Sequence, residues 1–311
     1  MTRIAFMGTP AFAIPALESL AASGYDLIAV YVQPDRPTGR GRQVAPPPVK
    51  VAAQRLGLTV LQPDTFKSPQ AVDELRALKP DVIVVAAYGK LLPKSVLDIP
   101  PRGCVNIHPS LLPLYRGPSP VTSALLNGDS VTGVTIMLLG AGMDDGPILA
   151  RTTMPIGPSD NGITLTDKLA SEGARLLLET LPKWLSGGIE PQPQDNSRAT
   201  VCKKVQKEDG LIDWSSTAVE IWRRVRAFQP WPGTYTTWKG KMLKVLESSP
   251  IEGKADAPGA VVATGPGHAV AVSTGDGLLA LTRVQLEGRK PTTASEFILG
   301  YRDFIGSRLP S

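Results

Sequence analysis

An asparagine and a histidine two residues apart on an apolar strand are the first residues in this 311-residue chain whose types and spacing suit chemistry. The run Cys104-Val105-Asn106-Ile107-His108 leads into Pro109-Ser110-Leu111-Leu112-Pro113. Residues i and i+2 of a strand share a face, so Asn106 and His108 project together. A strand inside a sheet seldom carries an amide beside an imidazole, because a buried polar group is costly unless paired. Pro109 ends the strand and leaves His108 at its carboxyl edge, where open α/β sheets bind ligands. An imidazole that simply caps the strand would give the same pattern. The chain has only two histidines, which favours a use for this one.

A second element is Gly140-Ala141-Gly142-Met143-Asp144-Asp145-Gly146, which follows an apolar stretch at 133–139. It is either a solvated acidic turn or a carboxylate brought to the same edge. With Asp144 beside His108, the set holds a carboxylate to orient an imidazole, an imidazole to move a proton and an amide to donate to an oxyanion. That is equipment for acyl-type transfer. A third element, Pro34-Asp35-Arg36-Pro37-Thr38-Gly39-Arg40-Gly41-Arg42, carries Arg36, Arg40 and Arg42 on a Gly/Pro loop. Solvated surface loops are commoner than binding loops. A long basic loop in a compact domain nevertheless suits a phosphate backbone. Lys203, Lys204 and Lys207 cluster further on, and Lys239, Lys241 and Lys244 flank an expected hairpin. His268 falls in a Gly-rich turn and reads as exposed and structural.

The elements that must position these residues alternate. Apolar strands are expected at 3–7, 27–33, 59–62, 81–87, 105–108 and 133–139, with helices at 11–23, 49–56, 69–78 and 165–184. Such alternation predicts a largely parallel sheet covered on both faces. The stretch 187–196 is polar and rich in Pro and Gly, as linkers are. After a helix at 216–228, short strands are expected at 233–239, 242–246, 260–264, 269–273 and 278–284, the spacing of a small β-barrel. The length itself predicts two domains.

Composition narrows the function classes. The chain is 42% hydrophobic and 20% charged, with a net charge of +5, a mild excess that permits an anionic partner without demanding one. Two cysteines in no metal or redox spacing argue against a disulfide framework and favour a reducing, cytoplasmic setting. No apolar run is of membrane-spanning length, and an apolar strand starting near residue 1 leaves no room for a leader. Gly8-Thr9-Pro10 is not a dinucleotide fingerprint, and no phosphate-binding loop, zinc-protease or serine-hydrolase motif occurs.

The sequence resembles the methionyl-tRNA formyltransferases, a branch of the folate-dependent formyltransferase family. The likeness spans the chain: FMGTPAFA at 6–13, QPDRPTGRGR at 33–42, VAAYGKLLP at 85–93, NIHPSLLP at 106–113, GVTIM at 133–137, GMDDGPIL at 142–149, IDW at 212–214 and RAFQPWPG at 226–233. The Asn-x-His segment is common to folate-dependent formyltransferases and marks the reaction class. The basic loop and the last two segments are more particular to the tRNA branch. The resemblance implies an α/β fold, with a Rossmann-like catalytic domain at 1–188, a linker at 189–206 and an OB-like β-barrel domain at 207–311 that helps hold tRNA. It implies Asn106, His108 and Asp144 as catalytic residues. Ser110, Leu111, Leu112, Pro113, Tyr88, Gly89, Leu91, Leu92 and Gly140 would lie at the 10-formyltetrahydrofolate, and Arg36, Arg40, Arg42, Lys203, Lys204 and Lys207 at methionyl initiator tRNA. No metal, no membrane and a monomer are expected. Pro109 and Leu114 depart from the pattern of many tRNA enzymes, which have Gly and a basic residue there. The rival within the family is transfer to an amino-sugar nucleotide.

Overall fold

The structure, a computed structural model, describes residues 1–38, 43–253, 257–265 and 267–311. The chain divides into two compact units. The first holds residues 1–120, 131–156 and 166–202; the second holds 121–130, 157–165 and 203–311.

The first unit follows the expected alternation. Strands β1 (Arg3–Gly8) and β2 (Asp26–Tyr31) flank helix α1 (Ile14–Ala22). The short strands β3 (Arg36–Thr38) and β4 (Gln43–Ala45) come next, then α2 (Pro48–Arg55), β5 (Val60–Leu61), α3 (Pro69–Ala77), β6 (Val82–Ala86), α4 (Lys94–Leu97) and β7 (Cys104–His108). After α5 (Pro120–Asn127), which belongs to the second unit from Val121 on, the chain adds β8 (Val131–Leu138), β9 (Ile148–Pro155) and the long helix α6 (Gly162–Leu185), whose residues from Thr166 belong to the first unit. The sheet order is β5-β2-β1-β6-β7-β8-β9. Its first five strands pair in parallel, whereas β8 and β9 are antiparallel additions. Strands β1, β6 and β7 are buried almost throughout, as parallel strands covered by helices must be. The chain winds from β1 through β2 to β5 on one side and then crosses back to β6 and β7 on the other. The crevice at the carboxyl ends of β1, β6 and β7 is therefore a topological switch point.

Strand β9 was not expected from the sequence. Its last six residues alternate between half-buried and exposed, so only Ile148 and Leu149 read as apolar. The basic stretch expected to be a plain loop contains the antiparallel ribbon β3–β4. Arg40 and Arg42 lie outside the described residues. Helix α6 packs close against β7: a Cβ on Gly173 would lie 2.7 Å from Ile107 Cγ2, so a residue without a side chain is needed there. The stretch expected as a linker runs in part along this unit, with Gln192 pairing both ways with Ile148.

The second unit is an antiparallel half-barrel, an OB-like β domain. Helix α7 (Ala218–Ala227) starts at Thr217, which forms a reciprocal capping box with Glu220. Strands β10 (Thr234–Trp238), β11 (Lys241–Ile251), β12 (Val261–Ala263), β13 (Val270–Ser273), β14 (Leu278–Leu286) and β15 (Thr292–Thr293) follow, then α8 (Ala294–Gly300). The order is β10-β11-β14-β13-β12, with β15 on β14. Trp214, Ile221, Trp238, Leu243, Phe297 and Phe304 are among the residues of its core. Among the described residues no helix is long and apolar enough to cross a membrane.

Candidate functional site

Strand β7 places Asn106 opposite Met137 and His108 opposite Thr135 of β8, at the expected sheet edge. Both are nearly buried, at 8% and 4% exposure. Antiparallel β8 then carries the chain back to the turn 140–146, which returns Asp144 to His108. The two meet with Nδ1 of His108 3.6 Å from Oδ2 of Asp144. That oxygen also accepts a hydrogen bond from the Gly117 N–H at 2.8 Å. The structure therefore brings His108 and Asp144 together, with Asn106 two residues before His108 on the same strand.

The other ring nitrogen of His108 has a partner that sequence could not name. Nε2 lies 3.0 Å from the carbonyl oxygen of Tyr115. A carbonyl only accepts, so Nε2 carries the proton and neutral His108 holds its lone pair on Nδ1, facing Asp144. The Tyr115 carbonyl thus sets the tautomer, and Asp144, read from the sequence as orienting the imidazole, faces the ring's lone pair. Burial pushes the His108 pKa below its ordinary value, while the Asp144 charge and the Tyr115 carbonyl oppose that shift. The imidazole is poised to accept a proton at Nδ1 and, once charged, to pair with the carboxylate. Among the described residues the Asn106 amide has no hydrogen-bond partner, which leaves its donors for a ligand at this edge.

The loop after β7 is pinned rather than free. Thr135 Oγ1 donates to the Ser110 carbonyl at 2.7 Å and accepts from the Leu112 N–H at 3.1 Å. Ser110 Oγ donates to the Leu114 carbonyl, and Arg151 donates to the Leu112 carbonyl at 3.0 Å. Leu112 packs with Met137 and Ile148, and Pro113 is buried. Full burial of a leucine contributes roughly 1.5–3 kcal/mol, so Leu112 anchors the loop. The side chains of Ser110, Leu112 and Pro113 are thereby committed to the protein, and a ligand here would meet main chain and the half-buried Leu111. Thr135 and Arg151 were missed by sequence reasoning. The only signal was a threonine within the apolar run GVTIM.

The remaining expected ligand contacts are spread more widely. Tyr88 is buried against Phe66, its ring 6.3 Å away, so its side chain belongs to the core. Its carbonyl accepts from Thr9 Oγ1 and Gln33 Nε2, tying three loops of the carboxyl edge together. Gly89 has φ +79 and sits so close to Gln33 that a Cβ would lie 2.4 Å from Nε2. Leu91 is 84% exposed, Leu92 packs on the core and Gly140 is half-buried. Arg36 is exposed on β3. Lys203, Lys204 and Lys207 are exposed at the start of the second unit's long segment.

Comparisons with known proteins give the family of the chain. Residues 2–181 match the family model described as Formyl transferase, and 204–302 match Formyl transferase, C-terminal domain. The methionyl-tRNA formyltransferase of Chloroflexus aurantiacus is 51% identical over 300 residues, covering 96% of each chain. That of a Roseiflexus species is 53% identical over 310 residues, covering 99% of this chain and 95% of the relative. Among solved structures, an N-formyltransferase from Helicobacter canadensis in complex with folinic acid and dTDP-3-aminofucose superposes with TM-score 0.67 at 18% identity, covering 90% of this chain and 99% of that one. HypX from Aquifex aeolicus in complex with tetrahydrofolic acid gives 0.63 at 20% identity, covering 97% and 48%. The last two likenesses are of fold.

Proposed function

Because the chain belongs to the formyl transferase family, we propose that it carries a formyl group from 10-formyltetrahydrofolate to the α-amino group of methionyl initiator tRNA. The observation that supports this substrate is identity of about half, over nearly the full length, to relatives named methionyl-tRNA formyltransferase. The structural neighbour in complex with an amino-sugar nucleotide is only 18% identical, so that rival is the weaker reading. The work would be done in the cytoplasm by a monomer.

The chemistry asks three things of the protein, and the cluster answers each. Bound folate supplies the formyl carbon that the amine attacks. The amine reacts only when neutral, and a free α-amino group has a pKa of about 7.7–8. His108, neutral with its lone pair on Nδ1, takes up the proton that the amine loses. Asp144 stabilises the resulting imidazolium across the 3.6 Å gap; the bond from the formyl carbon to N10 of the folate then breaks, N10 takes that proton as tetrahydrofolate leaves, and His108 returns to neutral. Asn106 donates its uncommitted amide to the formyl oxygen, where negative charge gathers. Such a donor is typically worth about 10²–10³ in rate. The main chain of 110–113, with Leu111 and Leu91, supports the folate, and the exposed Arg36, Lys203, Lys204 and Lys207 meet tRNA phosphates.

The test is formyl transfer to charged initiator tRNA, with a charged elongator tRNA and an amino-sugar nucleotide as alternative acceptors. Wild type should prefer the initiator tRNA. Asn106→Ala, His108→Ala and Asp144→Ala should each lower kcat by about 10²-fold or more without loss of fold. Preference for the sugar nucleotide would overturn the substrate, and near-normal turnover of the variants would overturn the assigned roles.

A further inference from the structure

Asp144 presents its carboxylate to His108 from a left-handed backbone conformation, φ +49. Aspartate is among the few residues other than glycine that visit this region, at a cost that hydrogen bonds around it offset. Two carbonyls of the same turn, those of Asp144 and Gly146, accept hydrogen bonds from a single side-chain amide. It is that of Gln194, at 2.8 and 2.7 Å. Gln194 lies in the stretch that reads as linker, yet it is only 9% exposed. Its Oε1 accepts from Nε and Nη2 of Arg116 at 3.0 and 2.8 Å. A guanidinium only donates and a carbonyl only accepts, so the amide has one possible orientation, and both its hydrogens and its oxygen are engaged.

The Arg116 end of this bridge matters because of its neighbours in the chain. Tyr115 gives its carbonyl to His108, and Gly117 gives its N–H to Asp144. Arg116 itself is tied through its main chain to Thr200 and Cys202. Gln194 therefore links the peptide that holds both members of the pair to the turn that bears Asp144. A buried amide with every hydrogen bond made rigidifies what it joins.

We propose that Gln194, held by Arg116, is a positioning residue for formyl transfer: it sets the place of Asp144 relative to His108 and touches no substrate. The inference rests on reading His108 and Asp144 as the proton-moving pair. It gives the stretch between the two family domains a part in the catalytic site.

Two variants of the full-length protein separate the possibilities. Gln194→Met keeps the volume and loses every hydrogen bond. Gln194→Glu keeps an acceptor for Arg116 and loses both donors to the turn. Asp144→Asn is the reference, and His268→Gln provides a background in which His108 is the remaining histidine. The readouts are kcat, KM for each substrate, thermal unfolding and the NMR titration of the His108 ring nitrogens without substrate. Displacement by an ångström or so lowers kcat by about 10- to 100-fold in both variants, with each KM within about threefold of wild type. Since the Asp144 charge raises the His108 pKa, its titration midpoint should also fall, towards that of Asp144→Asn. Should Gln194→Met fail to fold, Gln194→Glu decides alone. Folded variants with kcat within about threefold of wild type and an unmoved His108 midpoint would overturn the proposal. If instead Asp144→Asn leaves both kcat and the midpoint unchanged, it is the reading of the pair that fails.

Discussion

His108 shows how one residue's burial writes itself into the whole protein's pH response. In the folded chain burial holds its pKa below the ordinary 6.5, whereas in the unfolded chain the ring titrates normally. As pH falls through about 6.5, the unfolded state takes up a proton that the folded state refuses until lower pH. The contribution of His108 to stability is therefore present above that pH and is lost as pH falls towards the folded value. Wild type should lose more thermal stability between pH 7.5 and pH 5.5 than His108→Gln does. Melting curves of the two proteins at both pH values check this, and equal losses would mean that the ring titrates alike in both states.

At the scale of elements, the site depends on two connections meeting: the loop after β7 and the turn after β8. Gly117 is where they touch. Its φ of +112 excludes ordinary side chains, and an added Cβ would lie 2.8 Å from the Cys202 carbonyl oxygen, a backbone atom that cannot swing away. Its N–H is also a donor to the Asp144 carboxylate. Gly117→Ala should therefore destabilise the protein by about 1–3 kcal/mol through strain and crowding. Turnover should fall by more than that loss of folded protein explains. Urea unfolding and active-site titration of the folded fraction separate the two effects. A variant of wild-type kcat per folded molecule would show that the hydrogen bond from Gly117 does not matter to the chemistry.

For the molecule as a whole, a net charge of +5 spread over 311 residues is too small to act as a general attraction for nucleic acid. On the proposed function, binding of tRNA would rest on local groups, and Lys203, Lys204 and Lys207, which are all exposed, are the ones proposed for it. Each neutralised phosphate releases counterions, so affinity should fall steeply with salt. Replacing the three lysines by alanine should flatten the slope of log affinity against log salt by roughly one unit for each phosphate no longer neutralised, with folate KM unchanged. Filter binding across a salt series reads this directly, and an unaltered slope would remove these lysines from the tRNA surface.

The sequence by itself determined what local pattern and residue chemistry can carry. Period-two spacing put Asn106 and His108 on one face, Pro109 marked the strand end, and alternating strands and helices specified the parallel sheet of the first unit. The Gly-punctuated strands after residue 233 likewise announced an antiparallel domain, with strands found at 234–238, 241–251 and 270–273 among others. Strand β9 was not legible because a half-exposed edge strand lacks a continuous apolar run. Seven-residue α8 was too short to show a period, although its Thr293 and Glu296 form a capping box. Only the tertiary structure decided which atoms face one another. Tyr115, Thr135 and Gln194 act through a carbonyl, a hydroxyl and an amide that meet the site across 7 to 50 residues of sequence. Hydrogen bonds at such separations leave no periodicity, because they are fixed by where the sheet brings its loops and not by the identity of neighbouring residues.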